Sequence, residues 1–449
     1  MNLTKYNAYL QYKENNFFKF VNNDISISSG VNQFEILRVY KELGTFEVDN
    51  NAISSYAEPK GNQLLVEVLS YYENFLFEKS LCNGEYELCM VSGATAGLSF
   101  IFDYCSMLEM KCGLTIGYSY VLFELLAQRY GMKLEAVVSK ESNKIIPDIP
   151  DIIQYIMKVH VDFICLTEPL NPSGEMFRED EFRKLLQVCK EYKCFLIIDK
   201  CQRDELQIRT IQKSFSINKV ILEEEMLDNV VIVNSLSKIR NVPGGRMGYI
   251  IGKREIIDYI KYMNTITYWH CPSICSFAIS IDVLYQLIFW NPSNQRQYIC
   301  DLKKMIKAAL PDVLVAKKIA KYLEPSSILE KAKIHCNSIL TRFDIVQKNY
   351  NVVKAYCLKM NFEITRLDGG YNFCIRVKSR FNEQQLKEYA NVTYNIELFT
   401  QEDFGGGKNL STMYYWIRIS CAEYPDTFLN KFNVLIQVIM DCLPITIKS

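Results

Sequence analysis

The sequence predicts an α/β protein with a large domain, built on a mostly parallel sheet covered by helices, and a smaller α+β domain. Short apolar segments alternate with helical patterns from residue 87 to residue 251, which is typical of parallel strands joined by helices. After residue 252 the pattern is mainly helical, and strand patterns return near residue 372. The predicted strands of the large sheet are residues 87–91, 114–116, 134–138, 163–166, 195–198, 230–233 and 247–251.

A chain of 449 residues is long enough for two domains with substantial cores. We expect residues 1–44 to join the small domain, residues 45–320 to form the large domain, and residues 321–449 to form the C-terminal small domain. The hydrophobic content of 49% and the charged content of 23% are ordinary for a soluble globular protein. Helices are predicted at residues 64–77, 121–130, 179–192, 383–390 and 425–442, and further strands at 372–377 and 415–419.

The balance of charges argues against polyanionic partners. Lys and Arg total 51, as do Asp and Glu, and no basic stripe is interleaved with aromatic residues. We therefore expect neither nucleic acid nor an anionic membrane surface as a partner. Residues 274–290 form the longest apolar run, but this run contains Asp282 and is short for a membrane span, so it predicts a buried helix.

Cysteine and histidine usage indicates a reduced, cytoplasmic protein without a metal site. The chain has 16 cysteines, no Cys-x-x-Cys pair and no apolar secretory signal near its N-terminus. Several cysteines lie in apolar runs, where a free thiol behaves as a small hydrophobic side chain. The three histidines are far apart in the sequence, so we predict no zinc site.

Residues 231–249 carry the strongest chemical signal. An apolar run leads to Ser235, Ser237 and Lys238, and Arg246 follows eight residues after the lysine, beside a Pro-Gly-Gly turn. Burying an unpaired ammonium is expensive, but a desolvated lysine becomes a nucleophilic amine that is able to form a Schiff base. Arginine suits a phosphate dianion because its planar fork binds two oxygens at once.

Three other motifs follow predicted strands. Residues 92–98, Ser-Gly-Ala-Thr-Ala-Gly-Leu, lie between a predicted strand and a predicted helix. Backbone N–H groups and the Thr95 hydroxyl at such a helix N-terminus can bind an anion. The alternative is an ordinary glycine turn that leads into a helix. A turn holds Asn171 at the carboxyl end of a strand, where ligands bind in open α/β sheets; a surface turn is the alternative. Asp199 ends a buried strand, where it either caps a helix or pairs with a protonated ring nitrogen of a cofactor.

A Schiff-base lysine, donors for a phosphate and a carboxylate for a pyridinium together describe a pyridoxal-phosphate pocket. From about residue 56 to residue 418, the chain resembles the fold-type I pyridoxal-phosphate enzymes of the class I/II aminotransferase family, the aspartate aminotransferase superfamily. Its motifs occur in the family's order: the phosphate-cup turn at residues 92–95, Asn-Pro-Ser-Gly at 171–174, Asp199, and Ser-Leu-Ser-Lys at 235–238 with Arg246. The resemblance implies a seven-stranded large sheet that binds pyridoxal 5'-phosphate.

The resemblance also implies the roles of individual residues. Lys238 holds the cofactor as an internal aldimine and Asp199 pairs with the ring nitrogen; both are expected to be catalytic. Arg418, with Gly30 and Asn171, is expected to bind the substrate carboxylate. Among the implied cofactor contacts, Tyr56 reaches the neighbouring subunit's phosphate and Tyr120 stacks on the ring. The other implied contacts are Gly93, Ala94, Thr95, Asn171, Asp199, Gln202, Ser235, Ser237, Lys238 and Arg246.

The chain departs from the family pattern at three places. Gln202 stands where the family has a tyrosine that hydrogen-bonds the cofactor's phenolic oxygen, and a glutamine can donate but cannot ionise. Tyr118 stands where a proline is usual before the stacking aromatic. Residues 263–272 lack the arginine of the dicarboxylate-specific branch, so aspartate or glutamate is poorly supported as the specific amino donor.

The predicted function is that of a dimeric, cytoplasmic aminotransferase that uses an L-amino acid and a 2-oxo acid. Lys238 would transfer a proton between two carbons, a 1,3-proton transfer. The Gln202 replacement keeps other pyridoxal-phosphate reactions open: oxidative deamination, β- or γ-elimination, decarboxylation or cyclisation. A cofactor-binding regulator is disfavoured because residues 1–44 are too few for a DNA-binding domain. Tyr118, Tyr120, Tyr268, Trp269 and Tyr371 indicate either an aromatic substrate pocket or ordinary packing.

Overall fold

A computed structural model gives the fold of the chain. It describes residues 25–43, 56–78, 85–141, 143–212, 214–273, 275–309, 319–405 and 413–444. The strands in these ranges, numbered in chain order, are β1 (Ile25–Ser26), β2 (Tyr86–Ser92), β3 (Cys112–Ile116), β4 (Lys133–Val137), β5 (Phe163–Thr167), β6 (Phe195–Asp199), β7 (Val230–Ser235), β8 (Met247–Lys253), β9 (Glu363–Ile364), β10 (Asn372–Lys378), β11 (Ile396–Glu397) and β12 (Tyr414–Ser420).

The largest sheet has seven strands in the order β2-β8-β7-β6-β5-β3-β4. Strand β3 pairs in parallel with β4 and β5, whereas β8 is antiparallel to β2 and β7. Every residue of β5 and β7 is buried, as expected for strands whose sheet is covered by helices on both faces. The α/β prediction with a mostly parallel sheet is confirmed, and all seven predicted strands overlap observed ones.

Helices connect most of these strands. Four predicted helices appear with nearly the predicted bounds, and the one predicted at 383–390 extends four residues further, to Tyr394. The described helices are α1 (Arg38–Leu43), α2 (Gln63–Phe77), α3 (Gly93–Met107), α4 (Val121–Arg129), α5 (Ile149–Lys158), α6 (Glu179–Glu191), α7 (Ile217–Glu223), α8 (Leu236–Ile239), α9 (Arg254–Thr267), α10 (Ser276–Trp290), α11 (Gln295–Ala309), α12 (Ile328–Met360), α13 (Glu383–Tyr394) and α14 (Pro425–Cys442). Shorter turns are Glu205–Gln207, the π-helix Ile208–Gln212, and the 3₁₀ turns Leu227–Asn229, Pro243–Gly245, Pro292–Asn294 and Gln401–Phe404.

The chain divides into two compact units, and the first comprises Met1–Phe34, Cys105–Ile198 and Phe343–Ser449. In this unit β1 pairs with β11 in parallel, and β12, β10 and β9 form a three-stranded antiparallel sheet. Fully buried side chains such as Phe373 and Phe428 form the core behind that sheet. The domain boundaries predicted at residues 44 and 320 stay predictions.

The second unit comprises Glu35–Tyr104 and Asp199–Arg342. Helix α10 packs against α1, α2 and α11, and it is buried from Ser276 to Ile288. Asp282 lies inside this helix, 2.6 Å from Arg240 Nε and 2.8 Å from His335 Nε2. Burial alone would raise the pKa of Asp282, but these two partners hold it below its ordinary value. The buried helix predicted for the apolar run is confirmed, and no described helix is long and apolar enough to span a bilayer.

Candidate active site

Lys238 lies just beyond a buried strand of the second unit. Strand β7 ends at Ser235, and Lys238 follows on the one-turn helix α8, where it is half-buried. The Ser235 hydroxyl caps this turn by accepting the Ser237 N–H at 3.2 Å, and it lies 3.2 Å from the Met247 carbonyl oxygen. The sequence predicted the lysine at the end of the apolar strand itself. The structure instead places it three residues past the end of the strand, on a capped turn.

Asp199 ends strand β6, and only 7% of its surface is exposed. Its Oδ1 accepts the Cys201 backbone N–H at 2.8 Å, and the Cys201 thiol donates a further hydrogen bond to the carboxylate. Burial raises the pKa of Asp199, while the two Cys201 donors and the charge of Lys238 act against that rise. The charge of Lys238 is therefore one of the influences on the Asp199 carboxyl, and the sequence predicted both residues as catalytic.

The turn before α3 forms a cradle beside Arg246. Helix α3 begins at Gly93, whose φ is +77°, and a Cβ there would lie 2.5 Å from Arg246 Nη2. Only glycine suits this position, because a side chain would meet both a left-handed backbone and the guanidinium. Arg246 is exposed, and its Nη1 and Nη2 donate to the Pro243 and Ser92 carbonyl oxygens at 3.2 Å and 3.4 Å.

The residues of this cradle fit a phosphate dianion. The helix N-terminus offers backbone N–H groups, the exposed Thr95 adds a hydroxyl, and Arg246 adds a planar cation. A Cβ at Gly248 would lie 2.8 Å from the Ala94 nitrogen, so a second glycine keeps the strand close to the cradle. Within the second unit, the structure thus places Arg246 against the turn from Gly93 to Thr95.

Sequence reasoning missed the role of Tyr268 in this cradle. Its hydroxyl oxygen accepts the Ser92 N–H at 3.1 Å, and its ring stacks on Phe100 with centroids 6.0 Å apart. The sequence suggested Tyr268 only as one of several aromatic residues of a substrate pocket. The partner of Tyr268 is a backbone N–H group, so no pattern of side chains in the sequence could predict this contact.

Arg418 is the centre of the candidate site in the first unit. It lies on β12 and is 7% exposed. Its Nε donates to the Ser28 carbonyl oxygen at 2.9 Å, its Nη2 donates to the same oxygen, and its Nη1 donates to Asn171 Oδ1 at 3.2 Å. The rings of Phe399 and Phe404 lie 5.2 Å and 4.8 Å from its guanidinium carbon.

Arg418 is a buried cation that lacks a carboxylate partner among the described residues. Burial lowers its pKa, and the nearby groups that act against that effect, led by Cys374 and Tyr371, do not reverse it. A buried charge of this kind is stabilised when an anion binds to it. The geometry therefore suits a ligand carboxylate.

Gly30 and Asn171 lie against Arg418, and the substrate-binding role that the sequence predicted for all three stays a prediction. A Cβ at Gly30, whose φ is +65°, would lie 3.0 Å from Arg418 Nη2. The Gly30 N–H donates to Ser420 Oγ at 2.8 Å, and its carbonyl oxygen accepts the Tyr371 hydroxyl at 3.1 Å. The Asn171 N–H donates to Thr167 Oγ1 at 2.8 Å at the carboxyl end of β5. Residues from the two ends of the sequence thus form one buried cluster.

The remaining predicted residues are placed less specifically. Tyr120 is the half-buried residue before α4, with its ring 6.1 Å from that of Phe123. Gln202 is half-buried, three residues after Asp199. Tyr56 is 84% exposed, and its ring lies 6.4 Å from that of Trp269. No ligand role of these three residues is tested by this geometry.

The fold is shared with several aminotransferases. A variant of Thermus thermophilus aspartate aminotransferase is similar with a TM-score of 0.67, at 15% identity, over 92% of this chain and 96% of the other. The aromatic aminotransferase from Pyrococcus horikoshii has a TM-score of 0.69, also at 15% identity, over 93% of this chain and 96% of the other. At such low identity, these likenesses show the fold alone.

Sequence relatives match over shorter segments. An aspartate aminotransferase from Thermococcus kodakarensis is 26% identical over 139 residues, which are 31% of this chain and 34% of the relative. Histidinol-phosphate aminotransferase 1 from Haemophilus influenzae is 21% identical over 222 residues, or 49% of this chain and 56% of the relative. The matches thus span from a third to just over half of these relatives.

The family model described as aminotransferase class I and II matches residues 22–308, which hold the Lys238, Asp199, Asn171 and Arg246 motifs. This range is more than half of the 449-residue chain. The chain therefore belongs to the class I and II aminotransferase family.

Proposed function

We propose that the protein is a pyridoxal-phosphate-dependent aminotransferase that exchanges the amino group of an L-amino acid with a 2-oxo acid. The observation that carries the proposal is the phosphate-type cradle, in which a Cβ at Gly93 would lie 2.5 Å from Arg246 Nη2. Family membership supports the same function, as does the buried carboxylate of Asp199 at the end of β6, which suits a protonated ring nitrogen.

The cofactor residues divide by the part of the molecule that they would hold. Arg246 and the cradle from Gly93 to Thr95, with the hydroxyls of Ser235 and Ser237, would bind the phosphate. Asp199 would hold a proton on the ring nitrogen, and the bound ring would then act as the electron sink of the reaction. Asn171 and Gln202 are proposed to donate to the phenolic oxygen, and Tyr120 to stack on the ring.

Lys238 is proposed to act first as a nucleophile and then as a base. Its Nζ would bind the cofactor covalently, and after release by the substrate amine it would move the substrate α-proton. The Ser235 cap fixes the turn that holds Lys238, which is half-buried. Arg418, with Gly30 and Asn171 beside it, would orient the substrate by its carboxylate, so that the Cα–H bond is the bond that breaks.

We also propose that the protein is a cytoplasmic homodimer in which Tyr56 reaches the partner's phosphate. Tyr56 is 84% exposed, and Tyr262, Ile266 and Trp269 in the same unit are 56%, 58% and 47% exposed. A cluster of exposed apolar side chains is typical of a protein interface. The described cysteines are all free thiols, which agrees with a reducing compartment.

Single half-reactions monitored by absorbance test the proposal. The pyridoxal-phosphate form of the protein is mixed with each of a panel of L-amino acids, and the spectrum is followed. We expect at least one amino acid to convert the visible band to the pyridoxamine-phosphate band near the ultraviolet. Addition of a 2-oxo acid should then restore the visible band. A protein that binds the cofactor but never reaches the pyridoxamine form would contradict the aminotransferase proposal.

Gln202 supports one alternative function within the same family. A side chain that cannot ionise stands where the family has a tyrosine beside the phenolic oxygen, and this change favours a different fate for the substrate. The alternative is elimination, decarboxylation, cyclisation or oxidative deamination of an amino acid. Release of ammonia, carbon dioxide or hydrogen peroxide without formation of the pyridoxamine band would establish it.

A further inference from the structure

The C-terminal part of helix α9 contacts the strand that leads into the phosphate cradle. Asn264 lies in the last turn of α9 and Tyr268 is the residue that follows the helix, and both side chains contact the same strand. Asn264 Nδ2 donates to the Met90 carbonyl oxygen at 2.9 Å, and the Tyr268 hydroxyl oxygen accepts the Ser92 N–H at 3.1 Å. The last residues of β2 before Gly93 are therefore held by side chains from the end of this helix.

Ser92 is fixed on both sides by these contacts. Its N–H donates to Tyr268, and its carbonyl oxygen accepts Arg246 Nη2 at 3.4 Å. The peptide that follows it carries the Gly93 N–H, the first backbone donor of α3. Without the Tyr268 hydroxyl, Ser92 would lose one of these two contacts, which fix it directly ahead of the cradle.

The same part of the chain also holds the turn that carries Tyr56. Asn264 Nδ2 donates to the Pro59 carbonyl oxygen at 2.7 Å, and no surface of Asn264 is exposed. The backbone carbonyl oxygen of Asn264 accepts the Trp269 N–H at 2.7 Å, and the Trp269 ring lies 6.4 Å from the Tyr56 ring. One buried asparagine thus connects strand β2 with the Tyr56 turn.

We propose that Asn264 and Tyr268 are positioning residues for phosphate binding. Tyr268 sets the cradle of its own subunit, and Asn264 links that cradle to the Tyr56 turn. The inference rests on the proposed function, because the phosphate in question is that of the bound pyridoxal phosphate. Neither residue touches the reacting atoms, so their substitution acts on the phosphate end of the cofactor rather than on its ring.

Two forms of the cofactor separate this role from a general structural one. The cofactor-free wild-type protein and the variant Tyr268→Phe are titrated with pyridoxal 5'-phosphate and with pyridoxal, which lacks the phosphate. We expect the variant to bind pyridoxal 5'-phosphate about fivefold more weakly, because one hydrogen bond contributes about 1 kcal/mol. Its affinity for pyridoxal should be unchanged.

Tyr259→Phe is the matched control. Tyr259 lies on α9, and its hydroxyl donates to Asp103 Oδ2 of helix α3 at 2.7 Å. This variant loses a hydroxyl of equal size, so it should bind both forms of the cofactor as the wild type does. Equal weakening for pyridoxal and its phosphate in Tyr268→Phe, or no weakening of either, would overturn the assignment to phosphate positioning.

The link to Tyr56 is tested by a double-mutant cycle with Asn264→Ala and Tyr56→Phe. If Asn264 acts partly through the Tyr56 turn, the double variant should lose less affinity for pyridoxal 5'-phosphate than the product of the two single losses. Independent, multiplicative losses would overturn that link while leaving the Tyr268 result intact. A wild-type protein that binds neither pyridoxal nor its phosphate would instead refute the proposed function itself.

Discussion

Each unit holds one arginine predicted to bind a ligand, and the two arginines are held in opposite ways. Arg418 is 7% exposed and donates to Ser28 and Asn171, with aromatic rings on its guanidinium. Arg246 is exposed, and two backbone carbonyl oxygens at 3.2 Å and 3.4 Å hold it. The guanidinium of Arg418 is therefore already dehydrated in the folded protein, whereas the guanidinium of Arg246 would lose water only when a ligand binds.

This difference teaches where each part of the binding free energy arises. A carboxylate that meets Arg418 finds a desolvated cation with a fixed orientation, so small changes of geometry should matter greatly. A phosphate that meets Arg246 replaces water around a solvated group, and the cradle's backbone N–H groups share the charge. Substitutions in the first unit should therefore act on substrate recognition, and those in the cradle on cofactor retention.

The largest expected effect comes from Lys238→Ala. The variant lacks the amine that binds the cofactor covalently and moves the proton, so the rate should fall by at least about 10³-fold. Its visible absorbance should be that of free pyridoxal phosphate rather than of a lysine adduct. Retention of the adduct band, measured at neutral pH after gel filtration, would show that another amine holds the cofactor. That result would contradict the role proposed for Lys238 in the second unit.

A paired substitution sharpens the comparison at the two arginines. Arg418→Lys should raise the KM for the amino acid by about 10- to 100-fold, because a lysine cannot replace charge-assisted contacts of a fixed fork. Its affinity for pyridoxal phosphate should stay at the wild-type value. Arg246→Lys should show the reverse, with cofactor binding about tenfold weaker and KM unchanged in the fully loaded enzyme. Similar effects of both variants on both quantities would contradict the division of roles.

A smaller effect concerns Glu175, which directly follows the turn that bears Asn171. Burial raises the pKa of Glu175 to about 7, with Arg366 acting against that rise. A raised carboxyl pKa stabilises the folded state below the ordinary pKa, and this contribution is lost as pH rises through about 7. The free energy of unfolding should therefore fall by about 2 kcal/mol between pH 5 and pH 8 on this account.

Glu175→Gln should remove that part of the pH dependence, as measured by urea unfolding at several pH values. Glu179→Gln is the control, since Glu179 is an exposed residue in an i,i+4 pair with Arg183 and its loss should leave the slope unchanged. An unaltered slope in Glu175→Gln would mean that the turn beside Asn171 tolerates a buried charge. The turn that bears Asn171 would then be less rigid than its hydrogen bonds indicate.

Much of the fold could be predicted because its signals are local. Strands β5, β6 and β7 are short apolar runs bounded by polar residues, and parallel sheets bury both faces of such strands. The motifs at residues 92–95, 171–174, Asp199 and 235–238 with Arg246, in the family's order, identified the family, which the 22–308 match confirms. The ligand roles of these residues remain proposals.

Other features could not be predicted because they depend on distant pairing. The contact of Ser28 with Arg418 joins residues 390 positions apart, and it exists only because β1 and β12 are brought together by the small sheets. Gly30 was assigned on a loose alignment, and its approach to Arg418 is visible only in three dimensions. The exact position of Lys238, on a capped turn rather than on the strand, likewise follows from the Ser235 cap.

The clamp that Ser28 and Gly30 form on Arg418 has a consequence for protein engineering. The N-terminal segment supplies the carbonyl oxygen that holds the guanidinium. If Arg418 binds the substrate as proposed, this segment would influence substrate choice, and it is separate in sequence from the cofactor motifs. Libraries that vary the residues around Gly30 would sample new substrate preferences while the Lys238 segment remains intact. Fusion partners attached ahead of this segment are best joined through long linkers, so that they do not pull on the clamp.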